Sequence, residues 1–202
     1  MERRKARTRA ALLTAAQQFL AQSTWVEVSV AHITEAAGVG VGSFYNHFDS
    51  KDALFDAAVR ETLDQQASAV AAATQLLDDP AEKYAVGVRT TGRLSRTYPV
   101  LARVMVNSGL SYVTTTHGLG ALALRDLTGG MESGRFAIDD PELLFVATGG
   151  AVLALLSHLD AHPDLDAGLA ADELARAMLR MCGLTRRQAA GVVARPLPQL
   201  SI

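Results

Sequence analysis

An all-α protein is predicted by three features of the sequence. Apolar residues recur every three to four positions along most of the 202 residues, the period of one helix face. No run shows the strict apolar–polar alternation of a half-buried strand. Side chains suited to capping a helix, Ser29, Ser50, Asp140 and Thr185, stand just ahead of periodic segments.

The elements follow in order. Leu12, Leu13, Ala16, Phe19 and Leu20 mark one face of a first helix, which "STWVEVS" interrupts. Ser29 caps a short second helix carrying Val30, Ile33 and Ala37, and Gly38 stops it. Ser50 caps a long helix, with Asp52 in its first turn. Along that helix Phe55, Val59, Thr62, Gln66, Ala69, Ala73 and Leu76 form a seam for packing. "DDP" ends it, and Pro80 suits the start of the next helix. Helices are expected at about 81–96, 98–108 and 112–132, followed by a break at "GGMESGRFAIDDP". Asp140 and Pro141 open another helix, which "AHPDLDAG" closes. A further helix is expected over 170–182, and Thr185 with Gln188 makes a capping-box pattern for a short terminal one.

Composition bounds the function. A net charge of −2 with 49% hydrophobic and 20% charged residues argues against a chain that coats a polyanion with its whole surface. Charge is local instead: "MERRKARTRA" holds five cations and one acid, which suggests a single anionic contact face. The one cysteine, Cys182, is expected to be a buried small hydrophobe. The basic N-terminus leads into mixed residues rather than an apolar block. The longest apolar stretch, 143–156, is shorter than the roughly 20 residues that span a bilayer. A cytoplasmic protein without a membrane span is expected.

Residues 38–54 read "GVGVGSFYNHFDSKDAL". The phosphate cradle Gly-x-Gly-x-x-Gly fails at Ser43, and no strand precedes it. Two short helices joined at Gly38 make a helix-turn-helix over about 29–48. Ile33, Ala37, Val39, Phe44 and Phe48 supply its inner face. Gly40 and Gly42 keep the second helix slim, so that its backbone can approach a partner.

"VSVAHITEAAGVGVGSFYNHFDSKDALF" resembles the DNA-binding segment of the TetR family of transcriptional regulators. The likeness joins the Ala-Ala-Gly-Val turn, the Gly-Ser-Phe-Tyr-x-x-Phe recognition helix and the Ser-Lys-Asp-Ala-Leu start of helix four, and it covers about the first 60 residues. "MESGRFAIDDPELL" is similar to the family's approach to its penultimate bundle helix. The resemblance implies a three-helix DNA-binding domain at 1–50 and a helical effector-binding and dimerisation domain at 51–202. It implies that Ser43, Tyr45, Asn46 and His47, with Ser29, Gly40, Val41 and Gly42, face the major groove and its phosphates. Lys51, at a helix N-terminus, would meet a phosphate, and Arg3, Arg4, Lys5 and Arg7 would reach the backbone or a minor groove. Gly40 and Val41 depart from the Ser or Thr and the basic residue frequent there. Val41 can touch a thymine methyl but donates no hydrogen bond, so base readout rests chiefly on Asn46. Trp25 is expected to be a packing anchor against helix four.

The remaining chain offers less. "LLFVATGGAVLALL" is apolar nearly all round and must be covered on several sides. Phe145, Gly149, Gly150 and Leu153, with Leu174, Met178 and Met181, are expected to form a four-helix contact across a two-fold axis; a buried monomer core is the alternative. Candidate ligand contacts are Arg89, Arg93, Asn107, Tyr112 and His117, with Met105 and Phe145 as walls. Gly87, Gly92, Gly109, Gly118 and Gly120 suit either a cavity or close helix packing.

The expected partners are a double-stranded DNA operator, a small apolar effector, and a second copy of the chain; no cofactor and no metal are expected. The expected function is a ligand-responsive repressor. A constitutive regulator or activator is the alternative, and a small helical enzyme a remote one. His158 and His162 stand at i, i+4 but lack an intervening glutamate, and solvated histidines at a helix C-terminus explain them.

Overall fold

The computed structural model describes residues 2–22, 25–109 and 118–198. Ten helices are seen among them: α1 Glu2–Ala21, α2 Val30–Ala36, α3 Val41–Phe44, α4 Lys51–Thr74, α5 Pro80–Thr97, α6 Pro99–Ser108, α7 Gly118–Glu132, α8 Pro141–Ala161, α9 Ala167–Met181 and α10 Arg186–Val193. There is no strand among the described residues.

Side-chain caps set the helix starts. Ser29 accepts from the His32 N–H, Ser50 from Ala53, Asp79 from Ala81, Asp140 from Leu143 and Asp166 from Leu169. Each satisfies a backbone donor that the first helical turn leaves unpaired. Thr185 and Gln188 form the full capping box. Because Asp166 caps, α9 begins three residues before the expected 170. At its other end α4 stops at Thr74, so Leu76 falls off the expected seam and is 93% exposed.

There are two main cores, and α4 starts in the first of them. The first gathers Leu12, Ala16 and Leu20 of α1, Ile33 of α2, Phe44, Phe48, and Leu54, Phe55 and Ala58 of α4, with Val104 of α6. Trp25 anchors the loop after α1, its ring 5.7 Å from that of Phe55. The second gathers Ala81, Tyr84, Ala85 and Val88 of α5, Leu127 of α7, Phe136, and Ala175, Met178 and Leu179 of α9 with the α10 face. The first turns of α4, which follow the boundary expected at residue 50, pack in the first core. Further along α4, Val70 is buried in the bundle. Leu54 and Val70 are roughly 24 Å apart at the rise of an α-helix.

The glycines divide between the two expected uses. At Gly92 a Cβ would meet Ala171 Cβ at 2.4 Å, so α5 and α9 touch there. Gly87 and Gly120 line a cavity instead. The α8 helix, at 21 residues and mean hydropathy 1.7, is long and apolar enough to cross a bilayer, longer than the apolar stretch in the sequence suggests. In the fold Thr148, Gly149, Leu156 and Leu159 are buried against the bundle, while Leu143 and Val146 are 66% and 49% exposed.

Candidate DNA interface and ligand cavity

The helix-turn-helix is held from inside by Phe44, fully buried, and Phe48, whose ring lies 6.1 Å from it. Gly38 turns the chain at φ 65°, the left-handed region that costs a side-chain-bearing residue roughly 1 kcal/mol or more. Outside this core stands a polar rim. Gly40, Val41, Gly42, Tyr45 and Asn46 are exposed; Ser43 and His47 are half-buried. A Cβ at Gly40 or Gly42 would touch nothing in the protein. Their lack of a side chain therefore leaves room on the outer side rather than serving the core. Tyr45 stands edge-on to Phe44 at 5.2 Å and remains 58% exposed. Ser29 is exposed and spends its hydroxyl on the cap.

Arg3, Arg4, Lys5 and Arg7 are exposed and lie on the first turns of α1. Arg and Ala have high helix propensity and Glu2 suits the first turn, so the segment continues the helix. Lys51 is already engaged: its Nζ donates to the carbonyls of Val26 at 2.8 Å and Trp25 at 3.3 Å. It ties the α1–α2 loop to the start of α4, leaving one N–H of the ammonium for an anion. A residue not singled out in the sequence, Arg9, sits with its guanidinium 5.4 Å from the centroid of Phe48, which fixes α1 against the end of the recognition segment.

The cavity lies between α4, α5, α7 and α8, with a volume of about 60 Å³. Its wall is mostly apolar: Val70, Val88, Leu119, Leu122, Phe145 and Val152. Polar groups also line it: Tyr84, Thr91, Thr148, Lys83 and Asp126. Burial raises the Tyr84 phenol above its ordinary value, partly offset by Thr148 beside it, so it stays a neutral donor. Burial also raises the Asp126 carboxyl, against the pull of Arg125 at 3.3 Å and the charge of Lys83. A carboxyl poised this way is a ready partner for a ligand hydroxyl.

Of the expected ligand residues, Phe145 lines this cavity. Arg89 and Arg93 do not; both pair with Asp172, at 2.9 and 2.8 Å, and Arg89 also donates to the Arg195 carbonyl. Burial alone would raise Asp172, but hydrogen bonds from Arg93 and Arg89 outweigh it and hold the carboxyl below its usual range. Met105 packs with Leu63, Ala102 and Leu156 in a small separate core. Asn107 donates to the Leu20 carbonyl at the end of α1. Tyr112 and His117 lie outside the described residues. Tyr84, Asp126 and Thr148 were missed; the available signal was a polar residue interrupting an otherwise apolar helix face.

The expected dimer residues separate as well. Met178 is buried in its own bundle beside Tyr84, and Gly149 lines the cavity. Phe145 and Leu174 pack partly on the second core, and Leu153 on the small one. Gly150 faces open space, and Met181 is 53% exposed. Exposed Leu143, Val146 and Leu169 join that surface. The rings of His158 and His162 lie 4.3 Å apart and tilted near the end of α8, and both are exposed. Cys182 is fully buried, and burial pushes its thiol up to about 12.

Comparison with known proteins gives a consistent picture. Residues 12–58 match "Bacterial regulatory proteins, tetR family", and residues 79–195 match "Tetracyclin repressor-like, C-terminal domain". A solved structure of RolR in complex with the ligand resorcinol is 32% identical, with a TM-score of 0.76 and both chains covered in full. RolR without ligand is also 32% identical, at a TM-score of 0.75 over 95% of this chain and 100% of that one. The fatty acid degradation regulator FadR from Bacillus halodurans shares the fold at 20% identity, with a TM-score of 0.73 over 85% of this chain and 94% of that one. No curated protein matches the sequence.

Proposed function

The chain belongs to the TetR family of bacterial DNA-binding transcription regulators, and on that premise we propose that it is a ligand-responsive repressor. As a homodimer it binds a palindromic operator, and a small, largely apolar effector releases it. One observation carries this reading. A single helix, α4, contributes Leu54 and Phe55 to the helix-turn-helix core and Val70 to the cavity wall. A ligand that displaces α4 at the cavity therefore moves the recognition segments of the two subunits relative to each other. Half-sites one helical turn apart, about 34–36 Å, tolerate little change in that spacing.

The cavity chemistry suits a small aromatic carrying hydroxyl groups. Its walls are apolar, and Asp126, Thr148 and Tyr84 offer polar contacts. RolR, similar over its full length, has been solved with resorcinol, a ligand of that kind. An apolar cavity that admits benzene is about 150 Å³, against about 60 Å³ here. Binding must then expand the site, and expansion is what would shift α4. The exposed apolar strip of Leu143, Val146, Leu169 and Met181 is the surface proposed to meet the second copy.

The test is fluorescence anisotropy on the operator with resorcinol titrated in. Dissociation of the protein–DNA complex together with a rise in melting temperature supports the reading; stabilisation without release leaves a constitutive regulator. Gly150→Arg, which meets no neighbour within the chain, should fold normally yet sediment as a monomer.

A further inference from the structure

Between the helix-turn-helix core and the cavity, α4 carries two buried polar residues, Thr62 and Gln66. They stand at i and i+4, with Val70 of the cavity wall one turn further on, so the three share a face. Gln17 Nε2 of α1 donates to Thr62 Oγ1 at 3.1 Å. Gln66 Nε2 donates to Thr91 Oγ1 of α5 at 3.0 Å. Both hydroxyl oxygens are free to accept, because each hydroxyl gives its own proton to a carbonyl one turn back: Thr62 to Ala58 at 2.9 Å and Thr91 to Gly87 at 2.8 Å. Among the described residues, these two bonds are the side-chain hydrogen bonds that join α4 to neighbouring helices. Thr91 is buried, and it lines the cavity together with Gly87.

Stability does not account for the glutamine. Its Oε1 is buried with no hydrogen-bond partner, which is costly and uncommon enough in folded proteins to call for an explanation. An apolar side chain of the same length would fill the space without that orphan. What the amide adds is direction. Apolar contacts let one helix slide past another, whereas the Gln66–Thr91 bond is lost once its atoms separate by about 0.5 Å more than they do now. The middle of α4 is therefore tied to a residue of the cavity wall and, one turn earlier, to α1.

We propose that the two buried bonds, Gln66–Thr91 and Gln17–Thr62, couple the cavity to the DNA-binding unit, with Gln66 as the positioning residue. The inference rests on the repressor reading and names the side chains through which that regulation acts. When the cavity widens, Thr91 carries Gln66, and with it α4, in the direction the wall moves. Thr62 hands the displacement to Gln17 on α1, whose Leu12, Ala16 and Leu20 pack in the helix-turn-helix core. Coupling by the packing of Val70 alone would not depend on a single amide.

Operator DNA selected from a random pool, read by fluorescence anisotropy, tests this beside calorimetry on the free protein. In the wild type, saturating resorcinol should weaken operator binding about tenfold or more. In Gln66→Met, resorcinol affinity without DNA and operator affinity without ligand should each stay within about threefold of the wild type. The weakening by resorcinol should fall below about threefold, and the variant should melt at or above the wild-type temperature, since it removes an unpaired acceptor. Thr91→Ser keeps the accepting hydroxyl and should keep the response. A purely structural glutamine would give the reverse: a lower melting temperature, both affinities reduced and the response intact. Should Gln66→Met not fold, Thr91→Val removes the same bond from its other end. If resorcinol fails to bind or to release DNA, the effector reading falls by itself, and Ala123→Leu supplies the push instead. Ala123 is half-buried in the cavity wall, and the added bulk should weaken operator binding about tenfold in the wild-type background but less than about threefold beside Gln66→Met. Equal weakening in both backgrounds, or none in either, overturns the proposal.

Discussion

The helix-turn-helix unit and the bundle beyond it solve burial in different ways. Of the ten buried polar or charged side chains among the described residues, only Thr34 precedes residue 62. The N-terminal core is aromatic and aliphatic throughout, and its polar groups stand on the rim, where DNA would meet them. The bundle keeps Gln66, Arg89, Thr91, Asp126 and Thr148 inside. Burying a polar group costs free energy unless it finds a partner, so a region that buries several either ties them in pairs or keeps them for a ligand. Here Arg89 is tied to Asp172, while Asp126 and Thr148, bonded to near neighbours, also line a cavity.

The largest expected effect lies on the dry side of this contrast. Phe44 is fully buried in a recognition segment of only four helical residues, too short to be stable by itself. Phe44→Ala should cost about 3–5 kcal/mol and abolish operator binding. Circular dichroism should show a lost low-temperature transition while the bundle still melts cooperatively. A single unchanged melt would mean that the two cores are not separable as drawn.

Next comes the paired side of the bundle. The Arg89 side chain is 7% exposed and Asp172 17%, so Asp172→Ala leaves a buried guanidinium without its counter-charge. The expected loss is about 3 kcal/mol at pH 7, read by urea denaturation. The sign with pH follows from the lowered carboxyl. Its contribution is present above the unfolded-state value and is lost as pH falls through the folded one. Wild type and variant should therefore converge in acid.

Much of the first region was legible because its information is local. Gly38, Phe44, Phe48 and the caps at Ser29 and Ser50 lie within a stretch of about twenty residues, and each acts on its near neighbours. Trp25 against Phe55 also followed from a loop beside a known helix. The second region resisted because its partners are far apart in the chain. Arg89 and Arg93 looked like ligand contacts because Asp172, about eighty residues on, was not visible as their partner. Met178 looked like a dimer residue because periodicity gives a face without saying what covers it. The cavity needs α4, α5, α7 and α8 together, and no spacing rule in one segment reports that.

Asp126 should behave oppositely to Asp172. Burial raises its folded-state value, so the unfolded chain ionises first as pH rises. Stability is greatest below the unfolded value, then falls until pH passes the folded one. Above the folded value the wild type carries that penalty in full. Asp126→Asn should therefore melt about 2–4 °C higher at pH 7, with the gap closing towards pH 3–4. The same variant should bind resorcinol more weakly if the carboxyl accepts a ligand hydroxyl. Lower stability at pH 7 would instead assign Asp126 to a structural pair with Arg125.

The smallest effect tests the rim itself. Lys51 holds the Val26 and Trp25 carbonyls, and the proposed phosphate contact would fall to the same side chain. A phosphate contact made by one cation contributes about 0.9 to the slope of log K against log salt on duplex DNA. Lys51→Ala should then lower that slope by about 1 and weaken all sequences alike. Loss of the loop tie alone would weaken binding with the slope intact. Asn46, exposed on the recognition segment, provides the contrast: Asn46→Ala should leave the salt slope unchanged while narrowing the gap between operator and random DNA. A Lys51 variant with a full slope would make it a positioning residue for the α1–α2 loop, and would leave the exposed cations of α1 as the phosphate contacts.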